Sequence, residues 1–327
     1  MIVQSDFRPS RLLSNRHLQT VFPNIFYPPP HVKVRRERLE LPDGDFIDVD
    51  WTLGETGPIV IVLHGLEGSI KSRYAARIMQ RIHEMGLRGA LPHFRGCSGE
   101  PNRLPIGYHS GFTQDLEYFT GLLKQQEPAT PLAAVGYSLG GNVLLKWLGE
   151  SPHADRLETG VAVSVPFDLA DASRVIEQGM SKMYKWSLLD RMRRSSIRKF
   201  SRVKAPFLLP DIGKIRTFRQ FDDQLTAPLH GYRDADDYYT SCSSRFFLKN
   251  IRVPTLILHA TDDPFMSPAS VPREDELSPT VTLELSQHGG HVGFVNGSLL
   301  HPNMWLAERI SLHLQERLAA GASESRS

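Results

Sequence analysis

Leu132-Ala-Ala-Val-Gly-Tyr-Ser-Leu-Gly-Gly-Asn-Val-Leu-Leu-Lys-Trp-Leu148 joins a short apolar strand, Leu132 to Val135, to an apolar helix over Asn142 to Leu148. Between them stands Gly136-Tyr137-Ser138-Leu139-Gly140, a G-x-S-x-G pentapeptide. The pentapeptide alone is a weak signal, because a chain rich in Gly and Ser matches it by chance. Its place at a strand-to-helix turn is what a nucleophile elbow requires. A serine on so sharp a turn takes strained backbone angles, and neighbouring chain must approach it closely. Gly136 and Gly140 remove the side chains that would collide. The helix N-terminus then points at Ser138, where developing negative charge is favoured. Ser138 is therefore the candidate nucleophile. The competing reading is a Gly-Ser turn with no chemistry.

Working outward, Val34 to Leu41 and Phe46 to Leu53 alternate apolar with polar around the turn signal Pro42-Asp43-Gly44, which reads as an antiparallel hairpin at a sheet edge. Ile59-Val-Ile-Val-Leu63 is continuously apolar, as a strand buried on both faces must be. Ala75, Ile78, Met79, Ile82 and Met85 follow at helical spacing. Strand-like runs recur at Arg88 to Phe94, Pro131 to Ser138, Thr159 to Phe167, Pro254 to Ala260 and Thr280 to Gln287, with helical segments between most of them. This alternation predicts a mostly parallel α/β sheet of about eight strands with helices on both faces. Asp168 to Asn250 contains no clear strand and reads as an inserted helical cap. The expected organisation is a single domain, with an N-terminal arm over 1–30 lying on its surface, a core over 31–167 and 251–318, the cap over 168–250, and a disordered tail over 319–327.

An elbow serine needs an acid and then a histidine further along the chain. His259-Ala-Thr-Asp-Asp263-Pro-Phe and His288-Gly-Gly-His291-Val-Gly-Phe each follow a strand, where loops at the carboxyl ends of a parallel sheet build a site. Each stretch offers two candidates: Asp262 or Asp263, and His288 or His291. The residues themselves leave the acid open, the other aspartate being a turn residue that binds backbone amides. His291 follows two glycines that let its loop fold back over the elbow, while His288 lies nearer the strand as an orienting or packing residue. An oxyanion hole needs two backbone N–H donors. Leu139 is expected to supply one. Leu66, in His64-Gly-Leu-Glu-Gly68 after the Leu63 strand, is expected to supply the other.

Composition narrows the function classes. The 327 residues are 40% hydrophobic, enough for one sizeable core and an insertion. With 38 basic and 36 acidic side chains, the net charge of +2 does not point to nucleic acid. The two cysteines, Cys97 and Cys242, make neither a disulfide framework nor a metal site. No His, Cys and carboxylate cluster has metal-ligand spacing, and Asp234, Asp236 and Asp237 read as a solvated turn or helix start. The opening residues lack a signal-peptide core and no apolar run is long enough to span a bilayer. A soluble cytoplasmic protein without cofactor is expected.

Taken together, these segments resemble the YheT-type branch of the α/β-hydrolases, a branch of bacterial esterases. The likeness runs through His17-Leu-Gln-Thr20, Leu41-Pro-Asp-Gly-Asp-Phe46, His64-Gly-Leu-Glu-Gly-Ser69 and His93-Phe-Arg-Gly-Cys-Ser-Gly-Glu-Pro-Asn102. It continues in Tyr108-His-Ser-Gly111, Gly136-Tyr-Ser-Leu-Gly-Gly-Asn142, His230-Gly-Tyr232, Asp263-Pro-Phe265 and His288-Gly-Gly-His-Val-Gly-Phe294. The resemblance implies the α/β-hydrolase fold, a Ser138, Asp263, His291 charge relay and cofactor-free hydrolysis of short- to medium-chain or lipid-like carboxylic esters. Eukaryotic relatives of this branch act on lipids, phospholipids among them. An acyltransferase or thioesterase would use the same residues. A binding protein on a hydrolase scaffold is the rival from another class, and it would not require all three residues. His17, His93, Arg95, Cys97 and His109 are read as structural, with the mouth of the site as the alternative.

The cap carries its own signal. Ten Lys or Arg lie between Arg174 and Lys204 against two acids, Glu177 and Asp190. Met183, Trp186, Leu189, Ile197 and Phe200 fall near helical spacing within it. The plain expectation is a helix over the site with a solvated basic face. The sharper one is a surface that meets anionic lipid, with Arg191, Arg193, Arg194 and Lys199 acting together.

Overall fold

In the computed structural model, which describes residues 1–10, 13–298 and 301–324, nine strands among the described residues form one sheet. In chain order they are β1 (Ile2–Gln4), β2 (Val34–Glu40), β3 (Phe46–Thr52), β4 (Ile59–Leu63), β5 (Arg88–Pro92), β6 (Leu132–Tyr137), β7 (Thr159–Val163), β8 (Thr255–Ala260) and β9 (Val281–Ser286). Their spatial order is β1-β9-β8-β7-β6-β4-β5-β3-β2. The β2–β3 hairpin and its pairing to β5 are antiparallel, and every other neighbour is parallel. A separate antiparallel pair, β10 (Val295–Gly297) and β11 (Pro302–Met304), follows the last of them.

Buried strands alternate their side chains between two cores. From β4, Ile59, Ile61 and Leu63 join one cluster with Leu116, Phe119, Val143 and Trp147. Val60 and Val62 join the other with Ile78, Met79, Ile82, Ile310 and Leu314. The helices supplying those partners cover the two faces: α3 (Gln114–Gln126) and α4 (Leu139–Glu150) on the first, α2 (Arg73–Glu84) and α10 (Trp305–Glu324) on the second. Helix α10 thus enters the stretch expected to be a disordered tail; residues 325–327 lie outside the described residues.

Two further expectations are corrected. The arm does not simply lie on the surface. Its first residues form β1, register with Leu283–Leu285 of β9, and raise the strand count to nine. Three residues are too short for a periodic signal, so only their pairing reveals them as strand. Helix α1 (Arg16–Phe26) then buries Gln19, which donates to Leu13 O at 2.7 Å and Val295 O at 2.9 Å and accepts from Val295 N. The strand expected to reach Phe167 ends at Val163, because Ser164 takes φ +50° and turns the chain out of the sheet.

The insertion between β7 and β8 contains no strand among the described residues. It comprises α5 (Leu169–Val175), α6 (Lys182–Phe200), α7 (Phe218–Phe221), α8 (Ala227–His230) and α9 (Ala235–Cys242), with short 3-10 and π turns. Asp234 caps α9 by accepting from Asp237 N at 2.9 Å, the helix-start role expected for that aspartate cluster. Leu189 and Met192 of α6 pack on Ile212, Ile215, Phe221 and Leu225, so the insertion has its own small core.

Candidate active site

Parallel strands put their carboxyl ends at one edge of the sheet, and successive loops deliver side chains or amides there. At the end of β6, Ser138 adopts φ +53°, ψ −118°, a conformation an L-residue rarely holds. Packing over-determines it. A Cβ on Gly140 would lie 2.4 Å from Leu63 O, and one on Gly136 would lie 2.5 Å from Gly140 O. The chain can cross so closely only with glycine at both positions.

After β8, Asp263 is 2% exposed and accepts from Phe265 N at 2.9 Å. After β9, His291 Nδ1 lies 2.8 Å from Asp263 Oδ2, and its Nε2 lies 3.0 Å from Ser138 Oγ. An ionised carboxylate only accepts, so Nδ1 carries the proton and Nε2 is left to accept from the serine hydroxyl. The loop that holds His291 is pinned from three sides. Thr20 Oγ1 on α1 accepts from His291 N at 2.9 Å, Ser164 Oγ accepts from Val292 N at 3.0 Å, and Phe265 stacks on the imidazole at 4.0 Å. The residues left out of this chain find each other instead. His288, half-exposed, lies 3.4 Å from Asp262, which also accepts from Gly290 N at 3.0 Å.

The turn after β4 is organised around one amide. Gly65 N donates to Tyr74 Oη at 2.7 Å, Glu67 N to Tyr108 Oη at 2.8 Å, and Gly68 N to Gly65 O at 3.0 Å. Leu66 N has no hydrogen-bond partner among the described residues. Leu139 N, the first of α4, has no acceptor within its helix. Buried His64 braces the turn. Its Nδ1 donates to Gly65 O at 2.7 Å, its Nε2 accepts from Phe94 N at 3.2 Å, and burial draws its pKa down to about 3, so it stays a neutral strut.

The sequence held no signal for the link between this turn and the insertion. Glu67, at φ +52°, accepts from Tyr108 Oη at 3.0 Å and from Ser195 Oγ of α6 at 2.5 Å. The turn and the roof of the site are thereby joined through one carboxylate. Tyr108→Phe removes both the donor to Glu67 and the acceptor for its N–H. It is expected to lower kcat for an ester substrate roughly ten- to hundredfold, less than the loss of an oxyanion donor outright, with little change in KM. Steady-state kinetics beside a thermal melt check this; an unchanged kcat in a folded variant would show that the link does not position the turn.

Of the five residues read as structural, two are so throughout. His93 Nε2 lies 2.7 Å from buried Asp50, and His17 stacks on Tyr184. Arg95 is clasped by Asp43, Asp45 and Asp115, yet with Cys97 and His109 it also lines a cavity of about 220 Å³ that opens beside Ser138. Burial lifts the Cys97 thiol well above its ordinary pKa. The walls of this cavity are mainly apolar, with Ile176, Met192, Phe200, Phe218 and Leu225 among them. A second cavity, of about 540 Å³, meets Ser138 and His291 from the other side and is bordered by Lys71, Arg73, Arg77 and Arg191.

The basic residues of the insertion do not form one face. On a helix each residue turns about 100°, so Lys185 and Lys199 fall on other sides than Arg191 and Arg194. Lys185 is buried against Glu177 at 2.7 Å, Arg193 turns to Ile215 O, Arg194 pairs with Asp190, and Lys199 lines the first cavity. The apolar positions split likewise: Leu189 is buried and Phe200 lines the cavity, whereas Met183, Trp186 and Ile197 are exposed.

A family model described as the alpha/beta hydrolase fold matches residues 58–298. A protein of Escherichia coli (strain K12) bearing the name "Putative esterase YheT" is 44% identical over 312 residues, covering 94% of this chain and 92% of that protein. Phospholipase ABHD3 of Mus musculus is 31% identical over 290 residues, 85% of this chain and 71% of the relative. Among solved structures, the Pyrococcus furiosus esterase Pf2001 superposes with a TM-score of 0.58 at 14% identity, covering 90% of this chain and 98% of that one, a likeness of fold alone.

Proposed function

The chain belongs to the α/β-hydrolase family, in its YheT-type branch, and on that premise we propose that it is a serine carboxylesterase in which Ser138, His291 and Asp263 carry the reaction. The observation that carries this reading is the continuous contact from Asp263 through both ring nitrogens of His291 to Ser138 Oγ, at 2.8 and 3.0 Å. His291 Nε2 takes the hydroxyl proton as Oγ attacks the ester carbonyl. Asp263 holds the ring and stabilises its charged form. Leu66 N–H and Leu139 N–H receive the oxyanion. His291 then gives its proton to the leaving oxygen, and a water activated by the same nitrogen releases the acid from the acyl-enzyme. The chemistry calls for no cofactor.

Substrate class follows from the walls. The apolar cavity under α6 suits an acyl chain, and the more polar cavity beside His291 suits the leaving group, which that histidine must reach. Short- to medium-chain or lipid-like esters fit this division, as the esterase and phospholipase names of relatives suggest. Residues 168–250 act as the cap that excludes water from the acyl side. Two unpaired cysteines suit a cytoplasmic setting. Labelling with a fluorophosphonate probe, together with turnover of activated esters, tests the reading. Labelling at Ser138 with turnover supports it, and a folded protein that neither labels nor turns over any ester would make it a binding protein.

The roof also bears on lipid. No helix among the described residues is long and apolar enough to cross a membrane. Met180, Met183, Trp186 and Ile197 are exposed beside Arg191 and Arg194, a composition suited to resting on an anionic surface. Each cation near such a surface is worth about 1 kcal/mol. Arg191→Gln with Arg194→Gln is therefore expected to weaken sedimentation with phosphatidylserine vesicles roughly thirtyfold at low salt, with the difference fading at high salt. If wild type does not sediment with these vesicles at low salt, the exposed face is ordinary solvated surface.

A further inference from the structure

Helix α6 runs lengthwise over the apolar cavity. Leu188, Met192, Ser195 and Lys199 line it, at steps of four, three and four residues, which is one helical face. Leu188 also borders the second cavity, together with Ser138 and His291. Eleven residues of helix separate it from Lys199, a distance of roughly 16 Å. The lysine therefore stands well along the cavity wall from the residue that borders both cavities.

Lys199 has no counterion there. Lys199 Nζ donates to Ile106 O at 2.7 Å, and no carboxylate lies within ion-pair distance of it among the described residues. An ammonium has three donors, and burying one without an anion is costly. Asp45 attracts it electrostatically, but the Asp45 oxygens already receive Arg95, Asn102, Phe46 N and Arg103 N. The two carboxylates that line the cavity are engaged elsewhere: Glu67 with Tyr108 and Ser195, Asp222 with Tyr239 and Thr226. Arg198 lines the same cavity and has no acidic partner among the described residues, while burial and the charge of Lys199 draw the His230 imidazole down to about 4 and keep it neutral. Desolvation draws the Lys199 amine down to about 7, and a carboxylate placed beside it would favour its charged form.

We propose that this cavity takes the acyl part of an ester whose far end carries a carboxylate, with Lys199 binding that carboxylate. The proposal rests on the ester-hydrolase reading and adds to it the substrate class, the monoesters of straight-chain dicarboxylic acids. A single ammonium with free donors suits a carboxylate. A phosphate dianion would sit poorly between the mainly apolar walls that lead to Lys199. The carboxylate supplies the negative charge that balances the lysine, and the apolar walls between cover the methylene chain.

The test compares kcat/KM for monomethyl esters of dicarboxylic acids of increasing length with methyl esters of matched monocarboxylic acids. A third series carries the carboxylate on the alcohol side. Wild type is expected to prefer the diacid monoester at its best chain length, and Lys199→Met to lower that preference roughly tenfold or more through KM, with Lys199→Arg recovering part of it. Should Lys199→Met not fold, inhibition of the wild type by the non-hydrolysable diacid monoamide, set against the plain amide, gives the same comparison. Equal turnover of the two acyl series, a preference untouched by Lys199→Met, or a preference for the alcohol-side carboxylate would each overturn the proposal and leave the hydrolase reading in place. Absence of all ester turnover and of fluorophosphonate labelling would overturn both.

Discussion

Ser138→Ala is expected to reduce kcat for activated short-chain esters by roughly 10⁴-fold or more and to abolish fluorophosphonate labelling. The size of the effect follows from the arrangement. Oγ is the atom that His291 Nε2 approaches at 3.0 Å, and once it is removed the oxyanion donors and the cavity remain but no covalent intermediate can form. Folding should survive. Ser138 makes its backbone bonds through N–H to Val163 O and through C=O from Asn142 N, and alanine keeps both. Its φ of +53° is as unfavourable for alanine as for serine, so the strain of the turn carries over unchanged. A thermal melt within a few degrees of wild type alongside the kinetics separates chemistry from stability. Residual turnover above about 1% of wild type would mean that another residue is the nucleophile.

The second large effect separates the paired candidates. Asp263→Asn and His291→Ala should each cost roughly 10³- to 10⁴-fold in kcat. Asparagine would present an amide where a carboxylate must hold the imidazole in one tautomer and balance its charge. Asp262→Asn and His288→Ala should each stay within about tenfold of wild type. The amide put in place of the Asp262 carboxylate keeps an oxygen for Gly290 N, and His288 is half-exposed and faces Asp262. Measuring kcat and kcat/KM for all four variants decides the matter. The reverse ranking in either pair would reassign that role without disturbing Ser138.

The elbow could be read because its strand, turn and helix are consecutive. A strand, a turn that tolerates no side chains at two positions, and a helix occupy one unbroken stretch from Leu132 to Leu148, and Gly136 and Gly140 are required by contacts within that stretch or with the adjoining β4. The long apolar runs of β4, β6 and β8 announced a parallel sheet for an equally local reason: strands buried on both faces have no polar alternation. The loop positions of the acid and the histidine followed from the same pattern.

Choices that depend on distant partners lay beyond it. Asp262 and Asp263 are neighbours of one type, and what distinguishes them is which faces His291 and which faces His288, a matter of how two loops cross. Glu67 carries no signal of its own in the sequence, because its partner Ser195 comes on α6 from 128 positions away. The arm showed no strand because its three residues become one only against β9. Lys199 belonged by composition with the basic residues around it, and helical rotation alone turned it inward to a cavity whose carboxylates were already taken. By itself, then, the sequence determined the order of elements and the strand-turn-helix of the elbow, since these rest on periodicity and on patterns within unbroken stretches. Tertiary structure decided which member of each pair meets the serine, what ties the roof to the turn after β4 and which charges line the cavity, because each is set by segments that only the folded sheet brings together.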